Sequence, residues 1–349
     1  MSGSNAGATF DLVQLAADAE WVAREALRKW TVVRDVSLSM VKLRENAVFK
    51  THLGDGARYA LRVHRPGYHS DEALMSEIQW MENLRAHNFP VAEVIPTASG
   101  SYFTTIRAPS GIRYQCDLQR WVDGSPLGYA ESGRILTPED AGNTYRILGK
   151  LAGELHVLSN GPARPARFAR HAWDAEGCIG DKALWGRFGD LESLSIDERS
   201  TLENAAGIAR HSLESFGMAS DRYGLIHSDL VPDNVIQSGS ELTVIDFDDS
   251  GYGWYMWELA TAVFWLRDSP IYEVALKSFV DGYREARSLT EDELAMLPTF
   301  MLVRGLVYLG WFQTRNTTDT AKQLTQPVTD TVVAMARTLL TAHAKGGDR

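Results

Sequence analysis

The segment Gly224–Ile236 restricts the fold of this chain more strongly than any other stretch. It carries His227, Asp229 and Asn234 in the pattern H-x-D-x-x-x-x-N and then runs into a short apolar strand. A second acid-bearing segment, Val244–Asp249, follows one more strand-like run. The two segments therefore flank one predicted β-hairpin, and pairing of its strands brings their ends together.

The side chains at the ends of this hairpin suit a magnesium ion and a proton acceptor. Mg²⁺ is usually held by one or two protein carboxylates or carbonyls together with substrate phosphates, and Asn234 and Asp246 supply such oxygens. Asp229, on the preceding loop, is left to accept a proton from an incoming hydroxyl. The same order of a loop Asp, an Asn and then a metal-binding Asp recurs in phosphoryl-transfer enzymes.

A chance origin of these patterns is the alternative interpretation. Isolated H-x-D or D-x-x-x-x-N combinations occur in many proteins, and an Asp before a strand often only caps a turn. The apolar residues around Asn234 and the second acidic segment at the expected place favour the phosphoryl-transfer interpretation.

The spacing of apolar residues predicts two regions of different structure around this motif. Helical spacing over 10–30 and 71–87 accompanies strand-like runs at 32–41, 47–53, 58–64, 101–107 and 112–118. The stretch 121–128 carries Gly and Pro without periodicity, which is typical of a hinge. Beyond it, helices are predicted at 138–159, 182–191, 196–217, 253–268, 271–287, 290–314 and 327–344.

These elements predict an α+β fold of two lobes. A small antiparallel β lobe with one helix, together with the N-terminal helix, spans 1–120, and a larger, mostly helical lobe spans 121–349. A length of 349 residues, about twice that of a common domain, agrees with two lobes. A ligand is expected in the cleft between them.

Charge and cysteine usage exclude several classes of protein. The formal net charge of −10 argues against a nucleic-acid or anionic-membrane binder, whose affinity depends on neutralising phosphates. Cysteine occurs only twice, too rarely for a disulfide framework or a thiolate zinc site. The amino-terminal residues lack the pattern of a signal peptide, and the most apolar stretches are shorter than the ~20 residues that span a bilayer. We expect a cytoplasmic protein without a nucleic-acid or membrane partner.

With these motifs the chain resembles the superfamily of aminoglycoside phosphotransferases and choline kinases, including its homoserine-kinase-like and stress-response-kinase-like branches. The resemblance covers about 30–315 and is most specific in Leu225–Ile236 and Val244–Ala260. It implies a protein-kinase-like bilobal fold, with ATP as the phosphoryl donor and Mg²⁺ as the cofactor.

The resemblance also implies roles for single residues. Asp229 is implied as the catalytic base, and Asn234 and Asp246 are implied as magnesium ligands. His227 is implied as a structural brace of the catalytic loop. Glu258 occupies a place where the family commonly has an Asp with the same bracing role.

A site of this kind also requires a cation on the third strand that pairs with a carboxylate on a helix. Arg62 alternates with apolar neighbours on the predicted third strand, and Glu77 lies on the apolar stripe of the 71–87 helix. Because an unpaired buried charge is costly, an Arg62–Glu77 ion pair that holds the ATP phosphates is favoured over two exposed side chains. The family usually has Lys in place of Arg62, whose planar fork keeps the charge but changes the geometry.

Further nucleotide contacts are expected from the first turn and from the hinge. Ser39 and Asn46 lie in the loop between the first two strands and are placed to touch phosphates, although a solvated turn fits them almost as well. Gln119 and Trp121 lie in Leu118–Gly124, which the resemblance implies as the hinge whose backbone pairs with adenine. The alternative for Trp121 is that it fills the lobe interface.

The sequence says least about the identity of the phosphoryl acceptor. Asp248, Asp249 and Trp254 suit an amino alcohol or another cationic acceptor through charge pairing and cation–π contact. Tryptophans at helical spacing are, however, usually core residues. A homoserine-like amino alcohol or an aminoglycoside-like amino sugar is suggested mainly by the resemblance.

The sequence therefore predicts an ATP- and Mg²⁺-dependent kinase that phosphorylates a hydroxyl of a small molecule. One alternative is a Ser/Thr protein kinase of the stress-response type, which the lack of a D-F-G…A-P-E activation segment after Asp246 disfavours. The other is a non-catalytic nucleotide-binding module, which the retention of Asp229, Asn234 and Asp246 disfavours. The acceptor, the choice between ATP and GTP, and the oligomeric state, a homodimer included, stay open.

Overall fold

The computed structural model describes residues 12–30, 36–54, 56–129 and 137–346 of the chain. The described amino-terminal part consists of α1 (Leu12–Leu27), β1 (Leu38–Leu43), β2 (Ala47–His52), β3 (Arg58–Val63), α2 (Asp71–Ala86), β4 (Phe103–Arg107) and β5 (Arg113–Arg120). Its strands form one antiparallel sheet in the order β1-β2-β3-β5-β4.

Alternation of buried and partly exposed side chains places one face of this sheet against α1. In β2 the side chains of Ala47, Phe49 and Thr51 are buried, and those between them are partly exposed. Leu15 and Val22 of α1 are fully buried in the same core as Phe49. Removal of this apolar surface from water stabilises the packing of the helix on the sheet.

α2 connects the sheet to the rest of the molecule. Ser70 caps its amino terminus by accepting a hydrogen bond from the Ala73 N–H at 3.1 Å. Leu74, on its buried stripe, belongs to the core of the carboxyl-terminal part. Trp80 Nε1 donates a hydrogen bond to Ser159 Oγ at 3.0 Å. The apolar face of α2 therefore packs in the core of the carboxyl-terminal part, whereas the strands that precede and follow α2 in the chain belong to the amino-terminal sheet.

After the sheet the chain is mostly helical. The helices are α3 (Pro138–Asn160), α4 (Ala175–Ile179), α5 (Ile196–Phe216), α6 (Tyr255–Val263), α7 (Tyr272–Ala286), α8 (Glu291–Ala295), α9 (Leu297–Thr314) and α10 (Asp319–Gly346). Short strands lie between them: β6 (Ser125–Pro126), β7 (Ala172–Trp173), β8 (Tyr223–Ile226), β9 (Val235–Ser238), β10 (Glu241–Val244) and β11 (Gly251–Trp254). α9 is almost entirely buried and packs against α6 and α10.

β9 and β10 form the predicted hairpin. Val235 stands opposite Val244, and the Ile245 N–H donates to the Asn234 carbonyl at 2.9 Å, which extends the pairing. β6 pairs with the other edge of β9. In a further small sheet, β11 lies between β7 and β8. The end of the catalytic segment and the start of the second acidic segment therefore lie side by side.

The predicted α+β arrangement is confirmed, but one helix prediction is wrong and two helices differ from their expected bounds. The stretch 182–191 forms only a 3₁₀ turn at Phe188–Asp190, since Gly186 takes a φ of +110° that interrupts a helix. The helix expected over 290–314 is broken at Met296, after which α9 begins at Leu297 with Pro298 in its first turn. The helix expected from 327 begins already at Asp319.

The amino-terminal elements also differ from the expected bounds. The helix predicted over 10–30 is observed as α1, and the strand predicted over 32–41 begins at Leu38. The stretch 31–35 lies outside the described residues. The division of the chain into 1–120 and 121–349 stays a prediction. No helix within the described residues has the length and apolarity needed to cross a membrane.

Candidate active site

α6 holds the loop His227–Asn234, which the sequence predicts to be the catalytic loop, in a strained conformation. Ser228 has a φ of +71°, a region that L-residues rarely adopt. Fully buried Glu258 accepts hydrogen bonds at Oε1 from the N–H groups of His227 and Ser228, the latter at 2.9 Å. Trp257 Nε1 donates to Ser228 Oγ at 2.9 Å. Burial raises the pKa of Glu258, and its contacts fix the loop that carries the next residue, Asp229.

His227 links the catalytic loop to the second acidic segment. Its Nδ1 accepts a hydrogen bond from the Asp229 N–H at 3.3 Å, and its Nε2 donates to the Ile245 carbonyl at 3.0 Å. A neutral imidazole with the proton on Nε2 satisfies both contacts. Both ring nitrogens are thus engaged with the backbone on either side of the site.

Asp229, Asn234 and Asp246 converge at one end of the hairpin. Asn234 Nδ2 donates to Asp229 Oδ2 at 2.9 Å and to the Asp229 carbonyl at 2.9 Å. Asp246 adopts a φ of +67°, and its carboxylate lies 3.9 Å from Lys42 Nζ. Asp229 and Asp246 line the same cleft, which has a volume of about 770 Å³.

The oxygens at this end of the cleft suit a divalent cation shared with phosphates. Among the described residues, His, Cys, Asp and Glu form no group of three or more that could hold a metal ion without further ligands. The Asn234 amide has its nitrogen turned to Asp229, which leaves its oxygen for a cation. Asn234 and Asp246 therefore fit Mg²⁺, which takes few protein oxygens and completes its shell with phosphate and water.

Arg62 of β3 lies between two carboxylates. Its Nη2 donates to Glu77 Oε1 at 2.8 Å, and its Nε donates to the two oxygens of Asp117 at 3.1 and 3.0 Å. Arg170 Nη1 donates to Glu77 Oε2 at 3.1 Å. Although burial opposes the charge, Asp117 and Glu77 hold the pKa of Arg62 well above its usual value. Arg62 also lines the cleft, and the expected Arg62–Glu77 pair is present there.

His64 connects this ion pair to the second acidic segment. Its Nε2 is hydrogen-bonded to Asp117, and its Nδ1 lies 3.7 Å from Asp248 Oδ1. Burial opposes protonation, but the contacts with Asp117 and Asp248 raise the pKa of His64 to about 9. Asp248 also faces His69, and Arg170 donates to its carbonyl. Despite burial, the contacts with His64 and His69 hold the pKa of Asp248 well below its usual value.

Sequence reasoning missed His64, Asp117 and Arg170. His64 shares a strand face with Arg62, and Asp117 stands opposite Arg62 in the β3–β5 register, so the strand pairing could have indicated both. Arg170 lies between α3 and β7, and no local pattern marks it.

The turn between β1 and β2 reaches across the cleft. Glu45 accepts hydrogen bonds from Trp311 Nε1 at 3.2 Å and from the guanidinium groups of Arg65 and Arg315. Burial opposes its charge, but Arg65 and Arg315 lower the pKa of Glu45. Trp311 and Arg315 belong to the far end of the chain, so this turn, the Glu45 turn, contacts the helical part directly.

The residues predicted in this turn differ in position. Asn46 lines the cleft, and its Oδ1 accepts from the Arg65 N–H at 3.0 Å. Ser39 is exposed on β1 and is not among the residues that line the cleft. The prediction that Ser39 contacts phosphates is therefore not supported by its placement.

The hinge forms the opposite wall of the cleft. Gln119 and Trp121 both line it, and Lys50 Nζ lies 4.4 Å from the centre of the Trp121 ring. Gln119 Nε2 donates to Asp117 Oδ1 at 3.3 Å. Apolar side chains complete this end of the cleft: Val48, Ala60, Ala92, Val122, Ile236 and Ile245. A flat aromatic base suits such a compartment.

The other end of the cleft, beyond Asp229, is aromatic and acidic. Asp249 Oδ1 accepts hydrogen bonds from Tyr68 OH at 2.6 Å and from Trp185 Nε1 at 3.3 Å. Burial and the neighbouring Asp248 raise the pKa of Asp249. Four aromatic side chains line this end, which we call the acceptor compartment: Trp185, Trp265, Tyr308 and Trp311.

Two of the predicted acceptor residues are placed differently from Asp249. Asp248 lines the cleft, but its carboxylate is directed to His64 and His69. Trp254 is buried outside the cleft, where its Nε1 donates to the Gly217 carbonyl at 2.7 Å and its ring packs on Phe300. The prediction of an acceptor role for Trp254 is corrected to a core role, because a buried indole finds its partners in the protein.

Arg304, in the middle of α9, was not anticipated. It is fully buried, and its Nη2 lies 3.3 Å from Asp229 Oδ1 and 3.0 Å from Tyr308 OH. Burial opposes its charge, but Tyr308 and Asp229 raise the pKa of Arg304. The sequence shows an arginine within a hydrophobic helix, but it does not indicate which side chain that arginine contacts.

Comparisons with known proteins agree with this geometry. The model of the phosphotransferase enzyme family matches residues 42–297, well over half of the chain. The chain belongs to this family. A solved structure of a microcompartment-associated aminopropanol kinase is 32% identical, with a TM-score of 0.81, over 93% of this chain and 98% of that one.

Two amicoumacin kinases are more distant matches. The structure of amicoumacin kinase hAmiN in complex with AMP-PNP, Ca²⁺ and Ami has a TM-score of 0.74 and 19% identity, over 92% of this chain and 95% of that one. The amicoumacin kinase of Bacillus subtilis strain 168 is 22% identical over 302 residues, 83% of this chain and 84% of that protein.

These findings confirm the superfamily recognised from the motifs and the kinase-like α+β fold class. The predicted enzyme class is confirmed as well: the chain is a phosphotransferase with an alcohol group as acceptor. Membership of the family implies that it uses ATP and acts on small molecules.

Proposed function

We propose that this phosphotransferase moves the γ-phosphoryl group of ATP, with Mg²⁺, to the hydroxyl of a small amino alcohol. The observation that carries the proposal is Asp249, a carboxylate in the aromatic acceptor compartment next to Asp229. A primary ammonium group binds such a carboxylate by charge pairing, and its short chain then places a hydroxyl near Asp229. The 32% identity with an aminopropanol kinase supports a small amino alcohol.

On the nucleotide side, the adenine lies between the apolar walls near Gln119 and Trp121, and the phosphates extend toward Arg62. The Nη1 of Arg62 makes no hydrogen bond within the described residues, whereas its Nε and Nη2 are engaged. That nitrogen is therefore left to contact a phosphate oxygen. When bound, Mg²⁺ neutralises phosphate charge between Asn234 and Asp246.

On the acceptor side, Asp229 orients the hydroxyl and takes its proton as the acceptor oxygen bonds to the γ-phosphorus and ADP leaves. Its carboxylate is about one-third exposed toward the cleft, which leaves room for an acceptor. His227 and Glu258 brace the loop without touching the reacting atoms. Position and charge, rather than covalent chemistry, supply the rate enhancement in this class of reaction.

The alternatives are less well supported. A protein kinase holds its substrate with an activation segment after the metal-binding Asp, but here β11 and α6 follow Asp246 almost at once. A non-catalytic module does not need Asp229, Asn234 and Asp246 in one cluster.

The test is a coupled ADP-release assay with Mg²⁺-ATP over 1-aminopropan-2-ol, ethanolamine, homoserine, choline, an aminoglycoside and a generic protein acceptor. We expect the small primary amino alcohols to give the highest kcat/KM. Propane-1,2-diol, which lacks the ammonium group, is the matched control substrate and should be phosphorylated poorly. Equal use of the diol, or a preference for the protein acceptor, would contradict the proposal.

Two variants assign the roles of the carboxylates. Asp229→Asn should lower kcat by about 10²- to 10⁴-fold while the affinity for the nucleotide is kept, since it removes the general base. Asp249→Asn should raise KM for the amino alcohol and leave the weak use of propane-1,2-diol unchanged. An Asp249→Asn enzyme with wild-type KM for the amine would remove Asp249 from the acceptor site.

A further inference from the structure

Arg304 is an unusual residue for the centre of an apolar helix. Its side chain is surrounded by other side chains and has no surface accessible to water. Its guanidinium carbon lies 5.1 Å from the centre of the Trp185 ring, 5.2 Å from that of Trp257 and 4.5 Å from that of Tyr308. These aromatic faces form a cage that stabilises the cation by cation–π contact.

Among the described residues, Asp229 is the one carboxylate within ion-pair distance of Arg304. Arg304 Nη2 lies 3.3 Å from Asp229 Oδ1. The Nε and Nη1 of Arg304 are buried and make no hydrogen bond within the described part of the chain. A buried cation with so few hydrogen bonds is costly, and an apolar side chain of similar volume would fill the same space more favourably. Stability alone therefore does not explain an arginine here.

Arg304 and Asn234 hold the Asp229 carboxylate from two sides. Asn234 Nδ2 donates to Oδ2 at 2.9 Å, while Arg304 Nη2 contacts Oδ1 at 3.3 Å. A donor on each oxygen restricts rotation of the carboxylate about its last bond. The orientation of the base relative to an incoming hydroxyl is then set before the acceptor binds.

We propose that Arg304 is a positioning residue, which orients Asp229 for proton acceptance and links it to the wall of the acceptor compartment. The link is Trp185, whose ring faces the Arg304 guanidinium while its Nε1 donates to Asp249 at 3.3 Å. The inference rests on the proposed role of Asp229 as the base. It adds a residue that acts on the proton transfer through its contact with Asp229.

The test compares Arg304→Ala, Arg304→Met and Arg304→Lys by steady-state kinetics with Mg²⁺-ATP and the best acceptor from the screen. We expect the Ala and Met variants to lose about 10- to 100-fold in kcat, within the range of general-base catalysis, with KM for ATP unchanged. The Lys variant should retain more activity because it keeps a cation near Asp229. Added guanidinium chloride at low millimolar concentration should partly restore kcat of Arg304→Ala by entering the vacated aromatic cage.

Arg287→Ala is the matched control, since Arg287 also stacks on two tyrosine rings, Tyr255 at 4.6 Å and Tyr283 at 5.9 Å, and is not among the residues that line the cleft. It should keep the wild-type kcat and show no response to guanidinium. If Arg304→Met keeps the wild-type kcat, or if guanidinium raises kcat of both alanine variants equally, the positioning role is overturned.

A crystal structure of Arg304→Met provides a readout that does not depend on the acceptor. The Asp229 carboxylate should leave its single orientation, whereas an unchanged contact with Asn234 would overturn the inference. Should the wild-type enzyme phosphorylate none of the compounds tested, the proposed function fails, while this structural comparison still decides the role of Arg304.

Discussion

The guanidinium group of Arg62 determines which buried side chains can pair with it. A guanidinium presents several donors in a plane and can bind two carboxylates at once, whereas an ammonium group is a compact point charge. Here Asp117 stands opposite Arg62 in the sheet and takes Nε, while Glu77 of α2 takes Nη2. An arginine can serve the second carboxylate, which the lysine expected from the family resemblance could not do with the same geometry.

We predict that Arg62→Lys weakens nucleotide binding and stability together. Lysine can pair fully with only one of Asp117 and Glu77, so a buried carboxylate loses one of its hydrogen-bond donors at a cost of about 1–3 kcal/mol in the free energy of unfolding. KM for ATP should rise about 10-fold. Urea unfolding and steady-state kinetics measure the two effects. Arg58→Lys on the same strand, where the ion pair with Asp123 is exposed, should change neither quantity.

His64 makes a second prediction, on the pH dependence of stability. Its pKa is raised from about 6.5 to about 9, so its charged form stabilises the fold fully below pH ~6.5, and this contribution is lost as the pH rises through 9. The stabilisation amounts to about 3 kcal/mol at most. Urea unfolding between pH 6 and 9.5 should show a steeper loss for the wild type than for His64→Gln. Parallel curves for the two proteins would contradict the charged state of His64.

At the scale of elements, α3 and α7 approach each other through glycines. A Cβ atom on Gly149 of α3 would lie 2.0 Å from the Phe279 carbonyl oxygen, and one on Gly282 of α7 would lie 2.0 Å from the Arg146 carbonyl oxygen. Both obstacles are backbone atoms, which cannot rotate away. The contact therefore depends on the absence of a side chain at these two positions.

We predict that Gly149→Ala lowers the free energy of unfolding by about 2 kcal/mol or more, because the helices must separate to admit the methyl group. Gly207→Ala is the matched control, since Gly207 lies on α5 with open space around it. It should raise the stability by about 0.5–1 kcal/mol through helix propensity. Denaturant unfolding of the two variants gives opposite signs if the packing is as described.

Element prediction succeeded where the local pattern decides the structure. The β9–β10 hairpin and the stripe of α2 follow from spacing within a few residues. The prediction over 182–191 was wrong because Gly186 packs against Gly310 of α9, a contact that no local pattern contains.

At the scale of the molecule, the Glu45 turn joins the sheet to the helical part over the cleft. Glu45 binds Arg65 from its own side and Arg315 and Trp311 from the other. One carboxylate thus neutralises two arginines that would otherwise repel. We infer that this contact holds the cleft closed over both substrates.

Glu45→Gln should therefore raise KM for ATP and for the acceptor by about 10-fold, which corresponds to ~1.4 kcal/mol, with a smaller change in kcat. The amide keeps one acceptor oxygen but loses the charge that pairs with two guanidinium groups. Initial-rate kinetics measure the change, and Glu25→Gln, which removes an exposed ion pair on α1, is the control. Unchanged KM values would show that closure does not depend on Glu45.

The groups that we propose to carry the chemistry lie close together in the chain, and local rules are enough to find them. Asp229, Asn234 and Asp246 flank a single hairpin, so the backbone pairing of neighbouring strands already brings them together. Likewise, Arg62 is indicated by its alternation with apolar residues on β3, and Glu77 by its position on the apolar stripe of α2. Neither indication needs a tertiary contact.

The partners that tune these groups come from distant parts of the chain. Asp117 meets Arg62 through strand register, Arg315 meets Glu45 across the cleft, and Arg304 meets Asp229 because α9 packs beneath the catalytic loop. Such contacts depend on how whole elements pack against one another, since hydrophobic burial is non-directional and the local sequence does not encode which distant side chain it brings near. For that reason the reaction class can be predicted from the linear sequence, whereas the contacts of Asp229 and Glu45 with distant side chains are decided only in the folded molecule.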